Sequence, residues 1–422
     1  MPFIKKPVTG MRDILPEEME LRNYLMGVIR RVYESYGFSA MEAPIVEHIE
    51  NLTSKQGGDN EKLIFKIMKR GEKLSEAGEA LDTDGLEGLV DSGLRYDLTV
   101  PLSRYYANNQ AKLQKPFKAL QMGPVFRADR PQKGRFRQFM QCDIDIFGDP
   151  TNLAEKELIL ATTEALSALG MDKYGFKVYI NDRRILFGMI EYAGLPAEDA
   201  EKILIVLDKA DKIGPEGVDR ELSELGYEKA SIEKLRGILD KYKDSSESVR
   251  LMGAEIPNYD IRAACENVAD IMESVSALKE RSLDLCFDPK LVRGMGYYTG
   301  TIFEIRCESF GSSICGGGRY DKMIGRFTGQ DVPAAGFSIG FERIFTILSE
   351  AGFKPPKSSD KLAILIEKGV SPERLGEIFS ISAKERSEGK RVFMAYMAKN
   401  KKFQKEGLMS EGYEEIREFY KD

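Results

Sequence analysis

Within Pro124–Gly148, PVFRADRPQKGRFRQFMQCDIDIFG, three kinds of chemistry crowd into one short stretch. Arg127, Arg135 and Arg137 carry guanidinium forks, which grip phosphate oxygens two at a time. Phe139 offers a ring face on which a base can stack. The carboxylates of Asp129, Asp143 and Asp145 can pair with an ammonium. From Arg135 to Phe147 the residues alternate with period two. Phe136, Met140, Ile144 and Ile146 fall on one side; Arg135, Arg137, Phe139, Gln141, Asp143 and Asp145 fall on the other. Upstream, Val125, Arg127 and Asp129 share a side, and RPQKGR makes a Pro- and Gly-containing connector suited to a hairpin loop. The pattern predicts two antiparallel strands, apolar beneath. A solvated strand face carries scattered Lys, Glu and Thr, whereas this one describes a site for something both nucleotide and amino acid.

The rest of the chain must position that hairpin. With 422 residues, two or three domains and a large core are expected. Hydrophobic residues at 42% and charged residues at 31% describe an ordinary soluble protein, with no membrane-spanning run and no signal-peptide start, so a cytoplasmic location is expected. Five cysteines without CxxC spacing read as free thiols. A net charge of −6 argues against blanket affinity for nucleic acid, so such a contact needs a local basic patch. The single histidine, His48, disfavours a His-based zinc site or a Ser-His-Asp triad and is read as having no catalytic duty. Neither GxxxxGK[ST] nor a strand-following GxGxxG occurs, so a nucleotide site here must be built from arginines.

In chain order, Leu21–Val32 has helical spacing, and FSAMEAPIVEH is strand-like, with Pro44 at an edge or kink. Lys62–Ile67 reads as a strand and Gly71–Gly93 as a loop. Asp97 precedes a helix start near Thr99–Pro101, where it could act as a cap. Asn152–Leu169 reads as a helix and Phe176–Ile180 as a strand. From Asp182 to Glu280 the composition turns helical and charge-laced, which predicts an inserted helical domain. Strands resume at SLDLCFDPK. LVRGMGYYTGTIFEI and SSICGGGRYDKMIG then bring Arg293, Tyr297, Tyr298 and Tyr320 to a glycine-lined corner. AAGFSIGFERIFTIL is an apolar strand running into a helix, with Arg343 at the helix head, where an incoming anion would suit it. KPPKSS is a linker. Beyond it a βαβα unit carries a cluster of Lys384, Arg386, Lys390, Arg391, Lys399, Lys401, Lys402 and Lys405, suited to a phosphate backbone, and the chain closes on an acidic helix.

Together these segments resemble the class II aminoacyl-tRNA synthetases, and within them the histidyl-tRNA synthetase family. FRADRPQKGRFRQF is similar to motif 2, AAGFSIGFERI to motif 3, and Gly37–Pro44 to the dimer-forming motif 1. LVRGMGYYTG and CGGGRYD resemble the two histidine signatures. The resemblance implies an α+β fold with an antiparallel sheet flanked by helices. It divides the chain into a core at 1–181 and 281–353, a helical insertion at 182–280, and a shortened anticodon-binding-like α/β domain at 360–422. It implies a homodimer that activates histidine with ATP and Mg2+ and transfers it to tRNA-His.

Carried over by position, Arg127 would hold the α-phosphate and the substrate carboxylate, and Asp129, Arg135 and Arg137 would contact ATP. Phe139 would stack the adenine, and Arg343 would take the γ-phosphate. Asp97, Gln141 and Asp145 would receive the α-amino group and its surroundings. Tyr298 and Tyr320, with Tyr297 beside them, would read the imidazole. Arg293 would stabilise charge during activation. A catalytically silent paralogue with the same core, the histidine-sensing regulatory subunit of ATP phosphoribosyltransferase, is the alternative. In that branch the ATP-handling arginines are expected to erode, and here Arg127, Arg135, Arg293 and Arg343 are present.

Overall fold

The computed structural model describes residues 3–53, 58–79, 86–131, 134–278, 283, 285–292, 296–356 and 359–421. These form two compact units, one of Met1–Asp13 with Leu25–Ala351, the other of Ile14–Tyr24 with Gly352–Asp422.

The larger unit is built on an eight-stranded sheet. Its strands in chain order are Ser39–Ala40 (β1), Phe117–Phe126 (β5), Gln138–Phe147 (β6), Phe176–Asp182 (β7), Leu285–Phe287 (β8), Thr301–Cys307 (β9), Ser312–Arg319 (β10) and Ala334–Gly340 (β11). Across the sheet the order is β1-β5-β6-β11-β10-β9-β7-β8, antiparallel except at the two edge pairs. The hairpin expected from the alternation is formed by β5 and β6, from Phe117 opposite Phe147 to Phe126 opposite Gln138. Its apolar row, Cys142, Ile144 and Ile146, is essentially inaccessible, and Phe303 of β9 and Phe337 of β11 meet edge to face at 4.6 Å across the glycines of β10. Tyr33 reaches Thr162 of helix Leu153–Ala168, and that helix, with helix Phe341–Glu350, packs on β6 and its neighbours. A long, period-two apolar row can exclude water only by covering its sheet with helices, and this covering makes the core.

A second sheet of Val46–His48 (β2), Lys66–Met68 (β3) and Val90–Leu94 (β4) runs antiparallel in the order β2-β4-β3. Two expectations change here. Lys62–Ile67 splits into a 3-10 turn ending at Leu63 and the short β3, and Gly71–Gly93 contains helix Glu72–Glu79 as well as β4. That helix has an acidic first turn and buries Ala77, two features that outweigh the glycine content. Between β7 and β8 the chain from Arg183 to Ser276 is a series of helices joined by short connections, with a kink at Gly214 inside helix Ala210–Glu224.

The smaller unit holds a parallel sheet of Lys361–Ile366 (β12), Arg391–Tyr396 (β13) and Glu415–Phe419 (β14), ordered β13-β12-β14. The acidic helix expected at the C-terminus is β14 instead. Ile416 and Phe419 pack against the buried row of β12, a long-range pairing that overrides local propensity. The basic cluster is also largely paired. Lys390 meets Glu385 and Glu415, Arg391 meets Glu20, and Lys401 and Lys405 meet Glu418. No helix among the described residues is long and apolar enough to cross a membrane.

Candidate active site

The register of the large sheet lays one row of side chains across five strands. Asp143 of β6 stands opposite Ser338 of β11, Ser338 opposite Gly316 of β10, Gly316 opposite Glu304 of β9, and Glu304 opposite Tyr179 of β7. Gln141 and Asp145 flank Asp143 on the same strand face and stand opposite Gly340 and Gly336. The small residues of β10 and β11 leave room above them, and the result is a cleft of about 1020 Å³. Gly336 is sterically required: a Cβ there would lie 1.9 Å from Asp145 Oδ1.

Asp145 sits beneath Tyr320, whose hydroxyl donates to Asp145 Oδ1 at 2.5 Å. Tyr297 lies edge-on to Tyr320 at 5.9 Å and 4.7 Å from the Tyr298 ring, so the three phenols form one wall. Gln141 Nε2 donates to Ser338 Oγ at 2.7 Å. Asp97, one residue before the N-cap Leu98 of helix Thr99–Asn109, accepts the Val100 N–H of the first turn at 3.0 Å. Its second oxygen is buried and without a partner.

Arg127 follows directly on β5. Its Nε donates to the Tyr96 carbonyl at 3.1 Å, and its guanidinium lies 4.2 Å from the Tyr96 ring and 5.2 Å from that of Phe139. Held between two rings, the cation needs no carboxylate partner and keeps capacity for an anion. Asp129, Arg135 and Arg343 also line the cleft, the last anchored to the Ser313 carbonyl.

Of the predicted site residues the fold therefore gathers Asp97, Arg127, Asp129, Arg135, Phe139 and Gln141 with Asp145, the three tyrosines and Arg343. Arg137 is not among them. Its guanidinium donates to the carbonyls of Asp129 and Thr9 and its stem lies over Gly10, so it braces the hairpin loop. The strand alternation starts only at Gln138, where β6 begins, and does not reach back to Arg137. Arg293 lies outside the described residues.

The fold adds residues to which no motif assigned a role. Asp143 shares the predicted face. Glu342, buried beside Arg343, accepts the Met140 N–H at 3.2 Å. Arg95, fully buried, donates to the carbonyls of Pro124 and Ala43; a Cβ on Gly123 would collide with it. Arg306 lies 4.3 Å from the Tyr179 ring at the far end of the cleft. Only sheet order brings β7 and β9 to this place, and no local pattern announces it.

Electrostatically the floor is starved of water. Burial lifts Asp145 to about 7 despite the Tyr320 hydrogen bond, raises Asp97, and pushes Asp143 well above the carboxylate range, with Asp145 adding repulsion. Desolvated carboxylates beside ring-held arginines match a ligand with a cationic head and an anionic centre a few bonds away.

The comparisons with known proteins give the family. A family model described as histidyl-tRNA synthetase matches residues 10–344, which include every strand of the large sheet. A histidine–tRNA ligase of Leifsonia xyli subsp. xyli is 42% identical over 406 residues, covering 94% of this chain and 91% of that protein. One from Aeropyrum pernix is 39% identical over 352 residues, with 82% and 75% covered. Among solved structures, a histidyl-tRNA synthetase from Nostoc sp. PCC 7120 superposes with a TM-score of 0.78 at 27% identity, covering 98% of this chain and 90% of that one. A Bacillus halodurans C protein titled ATP phosphoribosyltransferase regulatory subunit/histidyl-tRNA synthetase gives a TM-score of 0.78 at 22% identity with both chains fully covered, a likeness of fold alone. An arginine-built cleft on an antiparallel sheet, a phenolic wall over buried carboxylates, and this span of sequence agreement converge: the chain belongs to the histidyl-tRNA synthetase family.

Proposed function

We infer that this protein activates histidine with ATP to histidyl-adenylate and transfers the histidyl group to the 3′ end of tRNA-His. The observation that carries this reading is the juxtaposition of ring-held Arg127 with the Asp97–Gln141–Asp145 floor and the Tyr320 hydroxyl.

Histidine enters with its ring toward Tyr298, Tyr320 and Asp145, its ammonium toward Asp97 and Gln141, and its carboxylate toward Arg127. ATP, accompanied by Mg2+ as its partner in the substrate complex, lies along Asp129, Arg135 and Phe139 with its γ-phosphate at Arg343. The histidine carboxylate attacks the α-phosphorus in line, and the bond to the bridging oxygen breaks as pyrophosphate leaves. Arg127 touches both reacting groups, so it aligns them and offsets charge on the α-phosphoryl oxygens. Arg293 is assigned to the same task. Arg137 braces the loop that carries Asp129 and Arg135. No protein nucleophile is needed.

The helical block at 182–280 acts as an inserted domain, and the α/β domain at 360–422 contributes to holding tRNA. The active form is a homodimer built through the motif 1 region. Exposed Ile45, Val46 and Met68 on β2, β3 and the adjoining turn support this.

Histidine-dependent ATP–pyrophosphate exchange, followed by charging of tRNA-His, tests the reading. Arg127→Ala should lower exchange by about 10²-fold or more, the scale for removing one transition-state contact. Exchange at the wild-type rate in that variant would refute the assignment. A regulatory paralogue would show no exchange at all.

A further inference from the structure

Three buried oxygens in the cleft have no hydrogen-bond donor: Asp97 Oδ2, Gln141 Oε1 and Asp143 Oδ1. Their residues are each less than a tenth exposed. Every one is fixed from its other side. The Val100 N–H holds Asp97, and the Ser338 hydroxyl takes Gln141 Nε2 and is hydrogen-bonded to the Asp143 carboxyl. Such acceptors carry a desolvation cost that only an incoming donor removes. Asp145 does not belong to the set, because Tyr320 occupies its Oδ1.

The three acceptors, two of them carboxylates, belong to residues that line one cleft and suit a positively charged group that brings several N–H donors. A tetrahedral ammonium supplies this; a planar imidazole or adenine amino group does not. Among the described residues no group of three His, Cys, Asp or Glu side chains is placed to hold a metal ion.

We propose that Asp143 accepts the third N–H of the amino-acid ammonium, beside Asp97 and Gln141, and so selects for an α-amino group. This rests on the reading of the cleft as a histidine site. The groups facing Asp143 support it. Asp145 on its own strand and Asp97 repel its charge, Arg127 and Ser338 favour it, and Arg95 is a buried cation whose own charged form is penalised by burial. An arriving ammonium therefore meets a carboxylate that its surroundings have left under-compensated.

Two fragments of the substrate separate the contacts. Histidinol keeps the imidazole and ammonium, and imidazolepropionate keeps the imidazole and carboxylate. Calorimetric titration of the full-length protein with each should show Asp143→Asn weakening histidinol by about 10- to 100-fold, the scale of a hydrogen bond to a charged group. Imidazolepropionate affinity should stay within about 3-fold, the change expected when no such bond is lost. Unchanged histidinol affinity, or an equal loss for both fragments, overturns the role of Asp143 while leaving the histidine site standing. If neither fragment binds the wild type, the histidine site itself is refuted. A wild-type crystal structure with histidinol gives a check that needs no variant. The ammonium nitrogen should lie about 3 Å from Asp143 Oδ1, and a separation above about 4 Å overturns the proposal.

Discussion

At Asp145 two effects oppose each other. Burial disfavours its charge and the Tyr320 hydroxyl favours it, and burial wins, lifting the carboxyl to about 7. The unfolded side chain releases its proton near 3.8. Between those values folding takes up a proton at this site, so its contribution to stability is lost as pH rises from about 4 to about 7. Asp145→Asn removes that dependence while keeping an acceptor for Tyr320. The variant's stability relative to wild type should therefore grow by up to about 3 kcal/mol from pH 5 to pH 8, at about 1.4 kcal/mol per unit. Thermal unfolding of the ligand-free protein at the two pH values checks this, and a pH-independent difference contradicts it. Bound histidine should shrink the effect by restoring a cation above the floor.

Among the elements, β10 and helix Leu153–Ala168 are joined by one buried ion pair. Arg319 donates to Glu155 through Nε at 2.7 Å and through a terminal nitrogen at 2.6 Å, with Glu155 almost wholly inaccessible. The geometry is bidentate, and the neighbouring residue, Tyr320, carries the hydroxyl over Asp145. Glu155→Ala removes the bidentate partner and leaves the guanidinium with Asp321 and the carbonyls of Asp149 and Thr151, which should cost about 1.5–3 kcal/mol in urea denaturation. A loss under about 1 kcal/mol would mean that the pair behaves like a surface contact. Arg137 teaches the complementary lesson. Period-two spacing put it on the binding face, yet residues before Gln138 are not in the strand, and an arginine freed from the pleat turned to brace backbone carbonyls.

For the whole molecule the open face lies beside the motif 1 region, where Ile45, Val46 and Met68 are between a third and somewhat over a half exposed. Exposed apolar side chains on both edge strands of a short-stranded sheet favour burial against a second copy. Sedimentation should give twice the chain mass of 47.5 kDa. Val46→Glu should shift the protein toward monomer and reduce pyrophosphate exchange. A monomeric wild type with full exchange would rule out the dimer as the active form.

Local order was legible without any structure. Alternation marked the β5–β6 hairpin, an apolar run marked the strand-to-helix passage at Gly340, and residue chemistry picked out Arg127, Arg135 and Phe139 among the residues that line the cleft, because side-chain period and type are properties of adjacent positions. What stayed hidden depends on partners far along the chain. The strand β14 exists because β12 pairs with it, the basic cluster of the C-terminal unit is largely neutralised by acids brought to it in space, and Asp143 becomes an unsatisfied acceptor only once β11 and its neighbours exclude water. Sequence supplied the donors and acceptors; folding decided which were satisfied, because desolvation is set by everything packed around a group rather than by its neighbours along the chain.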